Sequence, residues 1–355
     1  MYFIPNVKEF RNDLFNYNKE YDELKDHVFK ETLILIKGPR RVGKSSLMRV
    51  VSNELTFTIY LDVRSCSNAK EFLTKFSIKL QHIIEDMDLS KKILKHIKGM
   101  DVLNLISLNF KDISNFSDIF ETIEEYLNNK KEHLIIFIDE AQILKEYGID
   151  ITRLIAHIYD YTKHIHFVLA GSQIGLLEKM ILNSKDMKGR IYHTIELKRL
   201  NKQKAMSFLL QGFEQVNKQI SISELEDAIQ HLDGLIGWLT YYGYYRLEYN
   251  HEDAIKIVEK LGYEIAEDEL SSFLSTIRAN RMLYILVLQA IGKGLDRWTD
   301  IKRYVDGSVK DINETTLNRI LTKLIDYGFV EKRKGLYSIS DPLIKLVVLK
   351  KHTKK

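Results

Sequence analysis

Residues 32–55 read TLILIKGPRRVGKSSLMRVVSNEL, and this stretch decides the fold. Thr32 to Lys37 is a short β-branched apolar run that suits a buried strand, and the residues from Ser45 to Leu55 have helical period. Between them, Gly38-Pro39-Arg40-Arg41-Val42-Gly43-Lys44-Ser45 matches G-x-x-x-x-G-K-[ST] in the strand-loop-helix context the motif requires. Glycine at both ends lets the backbone wrap closely enough for its N–H groups to face phosphate oxygens. The new helix, which begins around Ser45 and Ser46, turns its positive dipole end toward the same anion. Lys44 is expected at the β- and γ-phosphates and the Ser45 hydroxyl at Mg²⁺.

Working outward, four more apolar runs read as strands: Phe57 to Val63, His133 to Ile138, Ile165 to Ala170 and Tyr192 to Leu197. Helical stretches separate them, so residues 1–198 predict an α/β unit with a mostly parallel sheet covered on both faces. Residues 199–275 read as all-helical, with helices over 201–216, 222–234 and 251–275. Residues 276–355 read as three helices followed by two short β-like runs joined around Lys334-Gly335, the order of a winged helix. The region 69–130 carries amphipathic patches (EFLTKFSIKLQHIIEDM, KKILKHIKGM, IFETIEEYLNN) expected to extend the core, with a partner-binding insertion as the alternative.

The third strand runs into Asp139-Glu140, and carboxylates at the C-terminal edge of a buried parallel strand sit where open α/β sheets bind ligands. Asp139 is therefore expected to bind Mg²⁺ directly or through water, and Glu140 to orient or deprotonate an attacking water. The fourth strand leads into Gly171-Ser172-Gln173, where Ser172 or Gln173 would reach toward a γ-phosphate; simple turn chemistry is the alternative. Arg190, just before the fifth strand, is a candidate arginine finger for a neighbouring copy, or else a solvated arginine at a strand start.

The chain has 355 residues, 45% of them hydrophobic and 29% charged, which excludes fibrous and disordered classes. No run approaches the roughly 18 apolar residues of a spanning helix, and MYFIPNVKEF lacks the layout of a secretory signal, so a cytoplasmic protein without a membrane partner is expected. One cysteine, Cys66, rules out an internal disulfide and a cysteine-based zinc cluster, and His164 and His166 read as structural. Residues 276–355 hold 17 Lys+Arg against 8 Asp+Glu, so the surplus of cations lies there and the rest of the chain is net acidic. In the third C-terminal helix Leu317, Ile320, Leu321 and Leu324 face a core, which leaves Thr316, Asn318, Arg319, Thr322 and Lys323 on the other side. That face and the tip Lys332-Arg333-Lys334 suit duplex DNA; a protein partner or a packing role against the nucleotide site is the alternative.

GPRRVGKS, IIFIDEAQ, LAGSQ, the MKGR before strand five, an all-helical lid and a terminal winged helix together resemble the archaeal ATPases of the STAND branch of AAA+ proteins. The resemblance implies a five-stranded AAA+-like P-loop core, ATP or ADP between core and lid, slow hydrolysis and use of the nucleotide state as a switch, with homo-oligomers among the partners. In this family a segment before the first strand lies against the base. Phe15 to Tyr21 matches it in part, without its arginine, and leaves the adenine-contacting residues open. Gly234 to Leu239 resembles the family's lid motif with Ile236 in place of proline, and Arg246 is the candidate for a second sensor.

Overall fold

A computed structural model describes residues 1–89, 113–309 and 312–351, with only the backbone over 113–118. The patch KKILKHIKGM lies outside the described residues. The five strands are β1 (Leu33–Lys37), β2 (Phe57–Asp62), β3 (Leu134–Asp139), β4 (Ile165–Gly171) and β5 (His193–Glu196). They form one parallel sheet in the order β2-β3-β4-β1-β5. Each lies within about a residue of the run expected from sequence, because β-branched apolar stretches buried on both faces read the same way in either setting.

Side chains alternate across this sheet with period two, and each face has its own core. Leu33, Leu35, Ile59, Leu61, Ile136, Ile138, Phe167 and Leu169 point to one side. That side is covered by α3 (Ala69–Asp86), α4 (Ile113–Lys130), α5 (Ile151–Tyr161) and α6 (Ile174–Leu182). Phe72, Phe76, Leu80 and Ile84 of α3 and Ile123 and Leu127 of α4 are buried there, so the described part of the 69–130 region packs into the core.

Ile34, Ile36, Ile135, Phe137, Val168 and Ile195 point to the other side, against α1 (Asn18–His27) and α2 (Lys44–Asn53). The same core takes in Phe3, Phe15 and Tyr17 and the helices α7 (Lys202–Glu214), α8 (Ile222–Leu232) and α9 (Ile236–Arg246). Side-chain caps start the helices where sequence placed them: Asn201, Ser221 and Asn250 each accept from the N–H three residues on.

The long helix α10 (His251–Ser275) joins two cores, giving Ala254, Ile255 and Val258 to this one and Ala266, Leu270, Phe273 and Leu274 to a third. The third core belongs to α11 (Arg281–Gly292), α12 (Trp298–Asp306), α13 (Glu314–Asp326) and the antiparallel hairpin β6 (Val330–Arg333) and β7 (Leu336–Ile339). Leu317, Ile320, Leu321 and Leu324 are buried in it, as their spacing predicts. A further helix, α14 (Pro342–Lys350), follows the hairpin and was not apparent from the sequence. Its Leu343 enters the sheet-side core while Ile344, Val347 and Val348 enter the C-terminal one, so α14 ties the two together.

Candidate functional site

The loop from Gly38 to Gly43 leaves the C-terminal end of β1, and Gly43 occupies the N-cap of α2 with φ 97°, a left-handed conformation that costs glycine little and other residues more. Arg41 adopts φ 64° without that freedom, and such strain is held only where the surroundings over-determine it. Val42 is fully buried and locks the loop onto the core, while Ser46 Oγ accepts from the Lys8 backbone N–H at 3.1 Å. Lys44 is 5% exposed and donates to the carbonyls of Gly38 and Pro39, both at 2.8 Å. Burial lowers its pKa to about 8; Glu140 and Asp139 oppose the shift, and Arg40 and Arg64 add to it. A buried ammonium held by carbonyls at the mouth of a helix is suited to an anion.

Asp139 ends β3 and accepts from the Ser45 hydroxyl through Oδ2, so the loop and the sheet edge meet. A hydroxyl oxygen beside a carboxylate oxygen is the kind of hard donor set that fits Mg²⁺, which also retains waters and takes substrate phosphates. Among the described residues no larger His, Cys, Asp or Glu cluster could hold a metal ion. Burial and then the neighbouring Glu140 push the Asp139 carboxyl up, against the Ser45 hydroxyl and Arg64.

Glu140 sits in the left-handed region at φ 53°. Its Oε2 accepts from Gln142 Nε2 at 2.6 Å, Ser172 Oγ at 2.8 Å and the Ser172 N–H at 3.2 Å. Burial pushes its carboxyl up, but Lys44, the Gln142 amide, Arg64 and Ser172 outweigh that and hold it below the usual glutamate value. Glu140 is therefore an ionised, oriented carboxylate, the state a general base needs. Of the two candidates after β4, Ser172 bonds Glu140 directly, and Gln173 lines the same cleft.

The cleft above the loop has a volume of about 560 Å³. Its polar lining includes Arg40, Lys44, Ser45, Glu140 and Ser172, and its apolar lining includes Phe15, Tyr17, Phe208, Ile236 and Tyr241. Phe15 and Tyr17 line this cleft, and the Phe15–Tyr21 segment lacks the arginine expected of it. Arg64, which no sequence motif marks, enters the cleft after β2. It pairs with Asp62 at 2.8 Å and lies 3.9 Å from Asp139. An arginine two residues past a strand end carries no motif, so only the position of Asp62 beside Asp139 in the sheet register identifies it.

Two of the expected residues are not brought to the cleft of this chain. Arg190 makes a bidentate ion pair with Asp160 of α5, and Arg246 pairs with Glu224 at 3.0 Å. His166 is buried between the Glu31 carbonyl and His133, and His164 bonds Glu124, in keeping with structural roles. Cys66 is free and buried. Among the described residues no helix is long and apolar enough to cross a membrane.

Solved structures of similar fold were found over nearly the whole chain. The Walker-type ATPase paby2304 of Pyrococcus abyssi is 27% identical over 98% of this chain and 99% of its own, with a TM-score of 0.82. The Aeropyrum pernix ORC2 protein in its ADPNP–ADP complexes is similar in fold, at 14% identity over 97% of this chain and 95% of its own and a TM-score of 0.62. A search of curated proteins finds no significant match. The family described as "ATPase domain predominantly from Archaea" matches residues 14–241, more than half of the chain, and the match contains the phosphate loop, both carboxylates and Ser172. The chain belongs to this family of archaeal ATPase domains.

Proposed function

We propose that the protein binds ATP with Mg²⁺ and hydrolyses it to ADP and phosphate, and that the nucleotide state controls how the C-terminal segment sits on the core. The observation that carries this reading is the convergence of Lys44, Ser45 and an ionised Glu140 within one cleft, with Asp139 just beneath it accepting from the Ser45 hydroxyl. Mg²⁺ held by Ser45 and Asp139 would neutralise phosphate charge. The water oxygen forms a bond to the γ-phosphorus as the bond to the β–γ bridging oxygen breaks. Its proton passes to Glu140, and the electron pair leaves with ADP. Lys44 stays charged and holds the β- and γ-phosphates, with the N–H groups of residues 40–46 around them. Ser172 orients the Glu140 carboxylate, and Arg190 is assigned to a neighbouring copy. The base is assigned to the aromatic side chains that line the cleft.

On this reading residues 1–198 are an AAA+-like core of the STAND type, 199–275 a helical lid and 276–355 a winged helix. The switch role draws support from direct contacts between the last segment and the site. Gly328, at φ 75°, packs where an added Cβ would stand 2.8 Å from the Ser172 carbonyl, and Lys179 of α6 pairs with Asp326 of α13. Duplex DNA is the partner we assign to the winged helix, because Lys332, Arg333 and Lys334 at the hairpin tip and Asn318, Arg319 and Thr322 on α13 are exposed.

The test is ATP hydrolysis by the purified chain across a concentration series, with and without duplex DNA, beside Lys44→Ala and Glu140→Gln. Turnover lost in both variants supports the reading, and a rate per subunit that climbs with concentration supports Arg190 acting in trans. Tight ATP binding without turnover under any condition would replace the enzyme with a static nucleotide clamp.

A further inference from the structure

Arg40 and Arg41 are neighbours in the phosphate loop, yet their side chains take different routes. Arg41 is fully engaged with the C-terminal half: Nη1 lies 2.9 Å from Asp341, Nη2 lies 2.9 Å from Glu269, and the guanidinium stacks 4.2 Å over Trp238. Arg40 also reaches Glu269, through Nη1 at 2.5 Å, but its Nε faces the cleft and donates to Ser172 Oγ at 3.3 Å. That hydroxyl donates in turn to Glu140 at 2.8 Å. The Arg40 guanidinium therefore stands two hydrogen bonds from the carboxylate assigned to the attacking water. It lines the same cleft as Lys44 and is one of the charges that the Lys44 ammonium feels. A γ-phosphoryl group placed between Lys44 and a water on Glu140 comes within reach of this planar fork, whose five donors match phosphoryl oxygens.

We propose that Arg40 binds the transferred phosphoryl group of ATP in cis, exchanging its Glu269 partner for the γ-phosphoryl oxygens. The proposal rests on the ATPase reading above. Arg40 remains protonated throughout: the water oxygen bonds to phosphorus, the bridging bond breaks toward ADP, the proton goes to Glu140, and Arg40 only donates hydrogen bonds to the non-bridging oxygens. ADP has no group at that place, so with ADP bound Arg40 returns to Glu269 on α10. One side chain then both stabilises the transition state and reports the γ-phosphate to the helix that joins the sheet-side and C-terminal cores. The bland alternative is a clamp, in which Arg40 serves only to tie the loop to α10.

The experiment uses the full chain and measures single-turnover rates together with ATP and ADP affinities for the wild type, Arg40→Ala, Arg40→Lys and Glu269→Gln. Arg40→Ala is expected to slow hydrolysis by about 10²–10³-fold. It should also lower the preference for ATP over ADP by roughly tenfold or more, with ADP affinity changed by less than about twofold. Arg40→Lys is expected to recover part of the ATP preference and little of the rate, since a point charge cannot replace the fork. Glu269→Gln frees Arg40 and is expected to raise ATP affinity, opposite in sign to Arg40→Ala. A wild type that turns over while Arg40→Ala keeps its rate and its ATP-to-ADP ratio overturns the proposal and leaves the ATPase reading standing. Arg40→Ala and Glu269→Gln losing ATP affinity together establishes the clamp and overturns it as well. A wild type that binds neither nucleotide overturns both readings.

Discussion

The cleft and the hairpin β6–β7 both concentrate charge, but they do so in opposite surroundings. At the cleft and just beneath it Lys44, Asp139 and Glu140 are 5%, 1% and 7% exposed, and each is held by named partners. At the hairpin tip Lys332 and Arg333 at the end of β6 and Lys334 in the turn are exposed. Coulomb interactions strengthen as the local dielectric falls, and salt screens exposed charges over about 10 Å. A single cleft charge therefore carries a large, pH-sensitive effect, whereas the hairpin works through the number of its cations and is sensitive to salt.

Substitutions in the two regions should separate accordingly. Glu140→Gln, which keeps shape and removes the base, is expected to lower the single-turnover rate by about 10²–10⁴-fold with nucleotide affinity retained; full turnover in this variant would break the contrast at its strongest point. Asp341 lies between the regions, where it caps α14 through the Leu343 N–H at 2.9 Å and accepts from Trp238 Nε1 at 3.0 Å. Asp341→Ala also removes one of the two carboxylate partners of Arg41 and is expected to cost about 2–4 kcal/mol of unfolding free energy, read by denaturant titration.

Changing Lys332, Arg333 and Lys334 together to Ala should weaken duplex DNA binding about 10–100-fold and flatten the log affinity against log salt slope by roughly one unit per charge. The same triple variant should leave fold stability within about 1 kcal/mol, because the side chains lost are exposed and their contact with the buried part of the domain is that of Lys332 with the Tyr337 ring. DNA binding unchanged in that variant would remove the hairpin from the interface.

The pH response gives the smallest effect and the sharpest sign. Burial lowers the Lys44 pKa from 10.5 to about 8, so ATP affinity should be flat below about pH 8 and then fall by up to about tenfold per pH unit as the free protein loses the proton. Without nucleotide the stability trend is opposite. The unfolded chain holds the Lys44 proton that the folded one has lost between about 8 and 10.5, so this group makes folding more favourable as pH rises through that window. Lys44→Met should abolish both trends, while the hairpin variant should keep them.

Legibility followed the same division. The strands, Lys44, Ser45, Asp139 and Glu140 could be read because local spacing carries them: a buried strand, a glycine turn and a helix start lie within a dozen residues of one another. Helices α9 and α14 could not. IGWLTYYGYYR has two glycines and many aromatics, and PLIKLVVLK is a short, mostly apolar segment whose period does not distinguish strand from helix. The partial match over Phe15 to Tyr21 left the place of Phe15 and Tyr17 open, and the contacts of Phe208 with Phe3 and Phe15 that hold them at the cleft are long-range.

By itself the sequence determined the parallel sheet, the phosphate loop and the two carboxylates at the sheet edge, since each follows from short-range sterics and from the burial of alternate residues. Only the tertiary structure decided what those groups touch. Arg40 meets Glu269 from 229 residues away, and Arg41 meets Asp341 from 300. Ion pairs between ends of the chain so distant have no periodicity or spacing to mark them. They exist because α10 and α14 pack their apolar faces against the sheet-side core and deliver a carboxylate each to the loop, a result of long-range burial rather than of any local rule.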